Sequence, residues 1–283
     1  MKLTHLPHRI LNCNGRILDL SQPQIMGILN VTPDSFSDGG YYNQVEYAIK
    51  HAKNMILQGA SIIDIGGEST RPGASVVAVE DEINRVIPVV KALSTLDIVL
   101  SIDTSEPEVM KAAMEAGAHI WNDVRALTRP GALEMAAELN IPVILMHMRG
   151  EPTTMNQLAC YDDVVSEVIN ELKEKIVLAQ SAGIQSDHII IDPGFGFAKN
   201  TTHNTTLLNN LWRLHELGYP ILSGLSRKRF IGEITQCSIA AERVVGSVTG
   251  HLLSVQQGAS VVRVHDVEAT AQALLVWKSL MSL

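Results

Sequence analysis

The sequence predicts a single α/β domain folded as a (β/α)8 barrel, and three observations predict it. Eight short apolar runs each lead to a polar residue. Three of these runs are entered through the same Gly-Ala joint, at 59–60, 117–118 and 258–259. Between the runs, apolar residues recur at helical spacing. Unalternating apolar runs suit strands covered on both faces, as in a parallel sheet, and strands alternating with helices build such sheets. Pattern does not reveal closure, so an open, doubly wound sheet is the other arrangement it allows.

In chain order, residues 1–22 stand apart as an N-terminal flap or hairpin. There Asn12-Cys13-Asn14-Gly15-Arg16 carries turn chemistry between two apolar stretches. The barrel domain takes 23–283, a length that suits one barrel as well as two smaller domains. The first strand is the run 24–29, followed by Asn30; Val45, Ala48, Ala52, Met55 and Ile56 then share one helical face. That helix ends at Gly59, in the left-handed position glycine fills at least cost, and the next run leads to Asp64. Val79, Ile83, Val86, Ile87 and Val90 mark a second helix, and the strand 98–102 precedes Asp103. Gly117 repeats the joint before Asn122, and the run 141–146 precedes His147. Val164, Val168, Ile169, Leu172, Ile176 and Ala179 mark a further helix, after which 188–191 leads to Asp192. The last strands are 219–222 before Ser223 and 259–262 before Arg263.

Composition narrows the function classes. With 46% hydrophobic and 18% charged residues the chain buries a large core and is not disordered. Three Trp, five Tyr and four Phe leave the core to aliphatic side chains and offer little platform for stacking bases. A net charge of −8 without a basic tail argues against nucleic-acid or anionic-membrane partners. An anionic substrate would need a local positive cluster. Cys13, Cys160 and Cys237 have neither metal nor disulfide spacing. No apolar run approaches a membrane span, and Met1-Lys2-Leu3-Thr4-His5 lacks the apolar stretch of a signal peptide. The expected location is the cytoplasm.

In barrels of this class the active site gathers at the C-terminal strand ends, which here carry Asn30, Asp64, Asp103, Asn122, His147, Asp192 and Arg263. Singly, each Asp or Asn reads as a helix cap or turn residue. Together they read as a site, because Thr104 and Ser105 already offer caps beside Asp103 and because an amide and a guanidinium stand among them. The loops 30–40 and 66–74 are long, polar and broken by Pro and Gly, which suits either plain solvated loops or a cover over the chemistry. Arg227, Lys228, Arg263 and His265, after the last two strands, supply the positive cluster a phosphate would need; a basic solvated patch is the plainer alternative. No metal cluster and no Gly-x-Ser-x-Gly elbow is present, and Met146-His147-Met148 packs or lines a pocket. Asp192, followed by Pro193-Gly194-Phe195-Gly196-Phe197, either caps a helix or binds paired N–H groups of a flat heterocycle.

The segments 30–39, 66–73, 192–196, 226–228 and 263–266 resemble the bacterial dihydropteroate synthases, a family of pterin-binding enzymes. The resemblance runs from about Ile25 to the C-terminus. It implies the (β/α)8 barrel, Mg2+, a homodimer and inhibition by sulfonamides. The implied reaction joins 4-aminobenzoate to (7,8-dihydropterin-6-yl)methyl diphosphate, with the C–O bond ionising first. By resemblance, Asn30 contacts Mg2+ and the diphosphate, Thr70 and Arg71 hold the diphosphate from the second loop, and His265 is a further diphosphate ligand. Asp103, Asn122, Asp192 and Lys228 form the polar pterin set, Met146 its apolar wall, and Arg263 lies over the pterin face. Phe197 counts among the substrate-binding residues, and Ser226, Phe36 and Pro72 surround the aminobenzoate. Asp103, Lys228, Asn30 and Arg263 are the catalytic candidates. A pterin-binding module without catalysis and a methyltransferase barrel serving a corrinoid partner are alternatives. The two loop signatures and Ser226-Arg227-Lys228 speak against both.

Overall fold

Each of eight parallel strands contributes one side chain to a closed apolar ring: Met26, Ile62, Val99, Ile120, Ile144, Ile190, Leu222 and Val261. The structure is a computed structural model that describes residues 10–32, 41–68 and 77–281. Its first elements are the strands β1 (Ile10–Cys13) and β2 (Arg16–Asp19), an antiparallel hairpin. The barrel strands follow as β3 (Gln24–Asn30), β4 (Ile62–Gly66), β5 (Val99–Asp103), β6 (Ile120–Asp123), β7 (Val143–Met146), β8 (Ile189–Asp192), β9 (Leu222–Ser223) and β10 (Val261–Val264). Helices alternate with them. These are α1 (Tyr41–Leu57), α2 (Val79–Leu93), α3 (Pro107–Glu115), α4 (Ala132–Leu139), α5 (Val164–Ser181), α6 (Thr201–Asn209), α7 (Arg229–Thr235), α8 (Val244–Gln256) and α9 (Val267–Met281).

The sheet order is β8-β7-β6-β5-β4-β3-β10-β9. Its two edges meet where Ile191 pairs with Ile221 and the Ile191 N–H donates to the Pro220 carbonyl at 3.0 Å. The open-sheet alternative is thereby excluded. The ladder of β9 covers two residues where the sequence suggests 219–222. Proline offers no N–H to a ladder, so pairing there falls to carbonyls and to the residues beyond Pro220.

Period two explains both faces of every strand. Outward residues such as Ile63, Ile65, Leu100, Ile102, Leu145 and Val262 pack under the helices, including Ala52, Met55, Val86 and Val90, in one large core. Inward residues form the ring, and the hairpin seals it from below with Leu11, Cys13, Leu18 and Leu20. Arg16 fastens that hairpin, donating to His119 Nε2 at 3.1 Å and to the Leu96 carbonyl at 2.5 Å. Buried polar side chains then collect at the opposite, C-terminal end. No described helix is long and apolar enough to cross a membrane.

Candidate active site

Two positions beyond the apolar ring, the inward residues are Ile28, Asp64, Ser101, Asn122, Met146, Asp192, Gly224 and Arg263; Asp103 stands two further along β5. Asp64 is fully buried and is the hub of this layer. The register sets it beside Ser101, whose Oγ donates to Asp64 Oδ1 at 2.6 Å. Asn122 Nδ2 lies 3.3 and 3.1 Å from the two Asp64 oxygens. From β10, two strands from β4 around the barrel, Arg263 Nε donates to Asp64 Oδ2 and Nη2 to Asp103 Oδ2, each at 2.6 Å. One guanidinium fork thus bridges carboxylates on two strands. Burial works against its charge, but Asp64 and Asp103 hold its pKa above the ordinary value. Burial pushes the Asp103 carboxyl up to about 7 against the pull of Arg263. With both carboxylates ionised, the trio keeps a surplus negative charge.

Asp192 ends β8, and its Oδ1 accepts the Gly194 N–H at 2.7 Å. Burial pushes its carboxyl up to about 6, against that bond and the charges of Lys228 and Arg263. The turn that follows packs against β7 so closely that a Cβ on Gly194, at φ +69°, would sit 1.9 Å from the His147 carbonyl oxygen. The same turn carries Phe197, and Lys228 Nζ lies 4.1 Å from its ring centroid in a cation–π contact. Phe197 also packs with Val124, Met146, Met155 and Ala198, giving the layer an apolar flank.

On the far side, Ser226 Oγ accepts the His265 backbone N–H at 3.1 Å and lies 3.0 Å from His265 Nδ1. Half-buried Asn30 ends β3 opposite Gly66 of β4, so both long loops leave the mouth from adjacent strands. The root of the second loop is tied down, with Arg85 Nη1 donating to the Gly67 carbonyl at 3.0 Å and Arg125 lying 3.6 Å from Glu68.

A barrel mouth built this way has close counterparts. Residues 26–265 match the pterin binding enzyme family. The chain is 50% identical over 273 residues to the dihydropteroate synthase of Escherichia coli K12, covering 96% of each chain. This chain belongs to the dihydropteroate synthase family. Its members are transferases of folate biosynthesis, and this chain is one of them. Solved dihydropteroate synthases share its shape. The Xanthomonas albilineans enzyme with 4-aminobenzoic acid is 52% identical with a TM-score of 0.93, over 98% of this chain and 99% of that one. A structure of the same enzyme in complex with 7,8-dihydropteroate is 50% identical with a TM-score of 0.89, over 97% and 99%.

Among the residues that the dihydropteroate synthase resemblance names, Asn30, Asp103, Asn122, Met146, Asp192, Phe197, Ser226, Lys228, Arg263 and His265 all lie on or after the C-terminal ends of barrel strands. Phe36, Thr70, Arg71 and Pro72 lie outside the described residues. Arg227 departs from its expected part, and His147 keeps the packing one of its two readings. Arg227 is not spare positive charge: its Nε donates to Asp266 Oδ2 at 2.9 Å, and its backbone N–H donates to Ser247 Oγ at 2.8 Å. His147 shares the outward parity of Leu145 rather than the inward one of Met146, and its Nε2 lies 2.9 Å from Glu171 of α5. Asp64 stands among the strand ends in the sequence without a part of its own, yet it orients both Asn122 and Arg263. The available signal was its Gly-Ala joint, shared with the strands of Asn122 and Arg263. For Ser101 the signal was a lone hydroxyl within an apolar strand.

Proposed function

We propose that this chain condenses (7,8-dihydropterin-6-yl)methyl diphosphate with 4-aminobenzoate at the polar layer, giving 7,8-dihydropteroate and diphosphate. The observation that carries the reading is the Asp64–Arg263–Asp103 bridge across the mouth, which sets a flat cation beside excess negative charge. The ligands named for the two Xanthomonas structures, 4-aminobenzoic acid and 7,8-dihydropteroate, support it.

The bond between the pterin methylene and the diphosphate oxygen breaks first, and its electron pair leaves with the diphosphate. The resulting cation delocalises into the dihydropterin. The arylamine nitrogen then attacks the methylene carbon, a C–N bond forms, and one N–H proton passes to water. An arylamine is neutral at pH 7, so no strong general base is required. The work is electrostatic. Asp103 favours the developing cation, while Asn122, Asp192 and Lys228 bind the polar edge of the pterin between Met146 and Phe197. Arg263 lies along the pterin face, its charge offset by its two carboxylates. His265, Thr70 and Arg71 hold the departing diphosphate, and Ser226, Phe36 and Pro72 frame the aminobenzoate, where sulfonamides compete.

The donor set fits Mg2+, which takes oxygen ligands, keeps waters and accepts substrate phosphates. Asn30 offers one amide oxygen at the end of β3, and among the described residues no group of three or more His, Cys, Asp or Glu forms a protein cage. Asn30 and the diphosphate would hold the ion together. When bound, it supplies positive charge against the leaving group.

A homodimer is the proposed assembly. Val245 of α8 and Leu275, Val276 and Leu280 of α9 are all exposed, and α8 packs beside α9, giving a second copy an apolar face to cover. The free thiols of Cys13, Cys160 and Cys237 suit a reducing compartment, and the cytoplasm is the proposed location. Diphosphate release that requires both substrates and Mg2+ is the expected result in a coupled assay. Folded protein that binds the pterin but releases no diphosphate would overturn the reading.

A further inference from the structure

We propose that Lys199, beneath the turn after β8, is a positioning residue that sets Asp192, Phe197 and Lys228 for the pterin. The inference rests on the reading of the polar layer as the pterin site. Lys199 closes the turn just before α6 and is 8% exposed. Its Nζ meets three acceptors at once: the carbonyl oxygens of Gly194 and Phe197, each at 3.0 Å, and His147 Nδ1 at 2.9 Å. Three acceptors use all three N–H bonds of an ammonium, so the geometry calls for the charged form. Burial draws the Lys199 pKa down to about 7, and the Asp192 carboxylate opposes that loss of charge.

His147 can accept at Nδ1 because its other nitrogen is committed. Nε2 lies 2.9 Å from Glu171 Oε2, which fixes the proton on Nε2, and burial holds the ring neutral with a pKa lowered to about 4. Glu171 is steadied in turn by Arg149 Nε at 2.9 Å. A chain of contacts therefore runs from Arg149 through Glu171 and His147 to Lys199.

Each backbone acceptor of Lys199 belongs to a residue with a second duty. Gly194, whose carbonyl takes one bond, gives its N–H to Asp192; Phe197, whose carbonyl takes another, carries the ring under Lys228 Nζ. The turn runs through positive φ at Gly194, Gly196 and Ala198, so no strand ladder holds it in place. Asn204 grips it from α6, its Oδ1 accepting the Gly196 N–H at 2.8 Å and its Nδ2 donating to the Lys199 carbonyl at 3.2 Å. Without the ammonium, two buried carbonyls lose a donor and the turn is free to relax, carrying Asp192 and Phe197 with it.

Lys199→Met keeps an unbranched side chain one atom shorter and removes the charge and all three donors. The expected result is pterin diphosphate binding weakened on the order of tenfold by calorimetry, with KM for 4-aminobenzoate at saturating pterin changed by less than about twofold. In Lys199→Met/Lys228→Ala the pterin loss should fall short of the sum of the single losses, because part of the Lys199 effect passes through Phe197 and Lys228. Additive losses, or equal rises in both Michaelis constants, would overturn the positioning role. Should Lys199→Met fail to fold, Lys199→Gln supplies the test: it retains two donors for the carbonyls, so pterin affinity should hold within about threefold, and a loss of about tenfold in that folded variant would overturn the role as well. Lys228→Ala alone separates the two readings. If it leaves pterin binding intact, the pterin assignment fails; if it weakens binding while Lys199→Met does not, the positioning role fails and the assignment stands.

Discussion

Asp103 is pulled two ways: burial favours its neutral form, and Arg263 favours the anion that the proposed chemistry needs. Its pKa is raised to about 7, so the useful anion accumulates as pH rises through that value, and kcat/KM should climb on an acid limb centred there. Asp103→Asn should abolish this limb and lower kcat by more than it lowers pterin affinity, because the charge matters most as the cation develops. Stopped assays across pH 5–9 would show it; weakened binding with kcat intact would contradict the role. Glu82 offers a stability test without the chemistry. Its side chain is buried, with Cγ packed beneath Gly67, and burial raises its pKa to about 7. A raised acid pKa stabilises the fold below the unfolded value and loses that stabilisation as pH rises through 7. Glu82→Gln should therefore raise stability on the order of 2 kcal/mol at pH 8 and change little near pH 4, read by thermal melts at both. Residue types at the strand ends were legible in the sequence because a polar side chain closing an apolar run is visible. The hub role of Asp64 and the cage around Lys199 were not, since both depend on partners brought together from distant strands and helices.

Three elements begin from one joint, and the backbone angles say why it recurs. Gly59, Gly117 and Gly258 sit at φ +106°, +106° and +96°, a conformation L side chains avoid, so each ends one helix and aims the chain into the next strand. At Gly258 space is also lacking, since a Cβ would lie 2.1 Å from His215 Nε2. Gly258→Ala should cost about 2–3 kcal/mol, combining backbone strain with a clash against a ring, and urea melts would measure it. A neutral effect would mean that His215 and the joint move apart freely. Because glycine fills such joints cheaply, helix ends and strand starts were readable, as were the helical faces from Val45, Val79 and Val164 onward. Strand parity was not. Apolar residues on both faces hide which of two neighbours points inward, so Met146 and His147 were separable only once the ring of inward residues was seen.

At the scale of the molecule, one end of the barrel is built for stability and the other for chemistry. Closure depends on Ile191 meeting Ile221, a contact between segments that no local pattern encodes, and this is why strand counting left the open sheet standing. If α8 and α9 form the dimer face, Leu275→Arg should convert dimer to monomer in sedimentation experiments while leaving the barrel folded. A monomeric unaltered protein would refute that assembly. The sharpest test of the division between ends lies in the hairpin plug. Leu20 is fully buried against the apolar ring, on the side away from the polar layer. Truncating it leaves a cavity that the close-packed ring fills poorly, so Leu20→Ala should lose about 2–4 kcal/mol. The site rests on the opposite strand ends, so both Michaelis constants and kcat should hold below the lowered melting temperature. A fall in kcat that matches the fall in stability would instead show that the ring transmits strain to Asp64 and Arg263, since both follow the ring by two residues on their own strands.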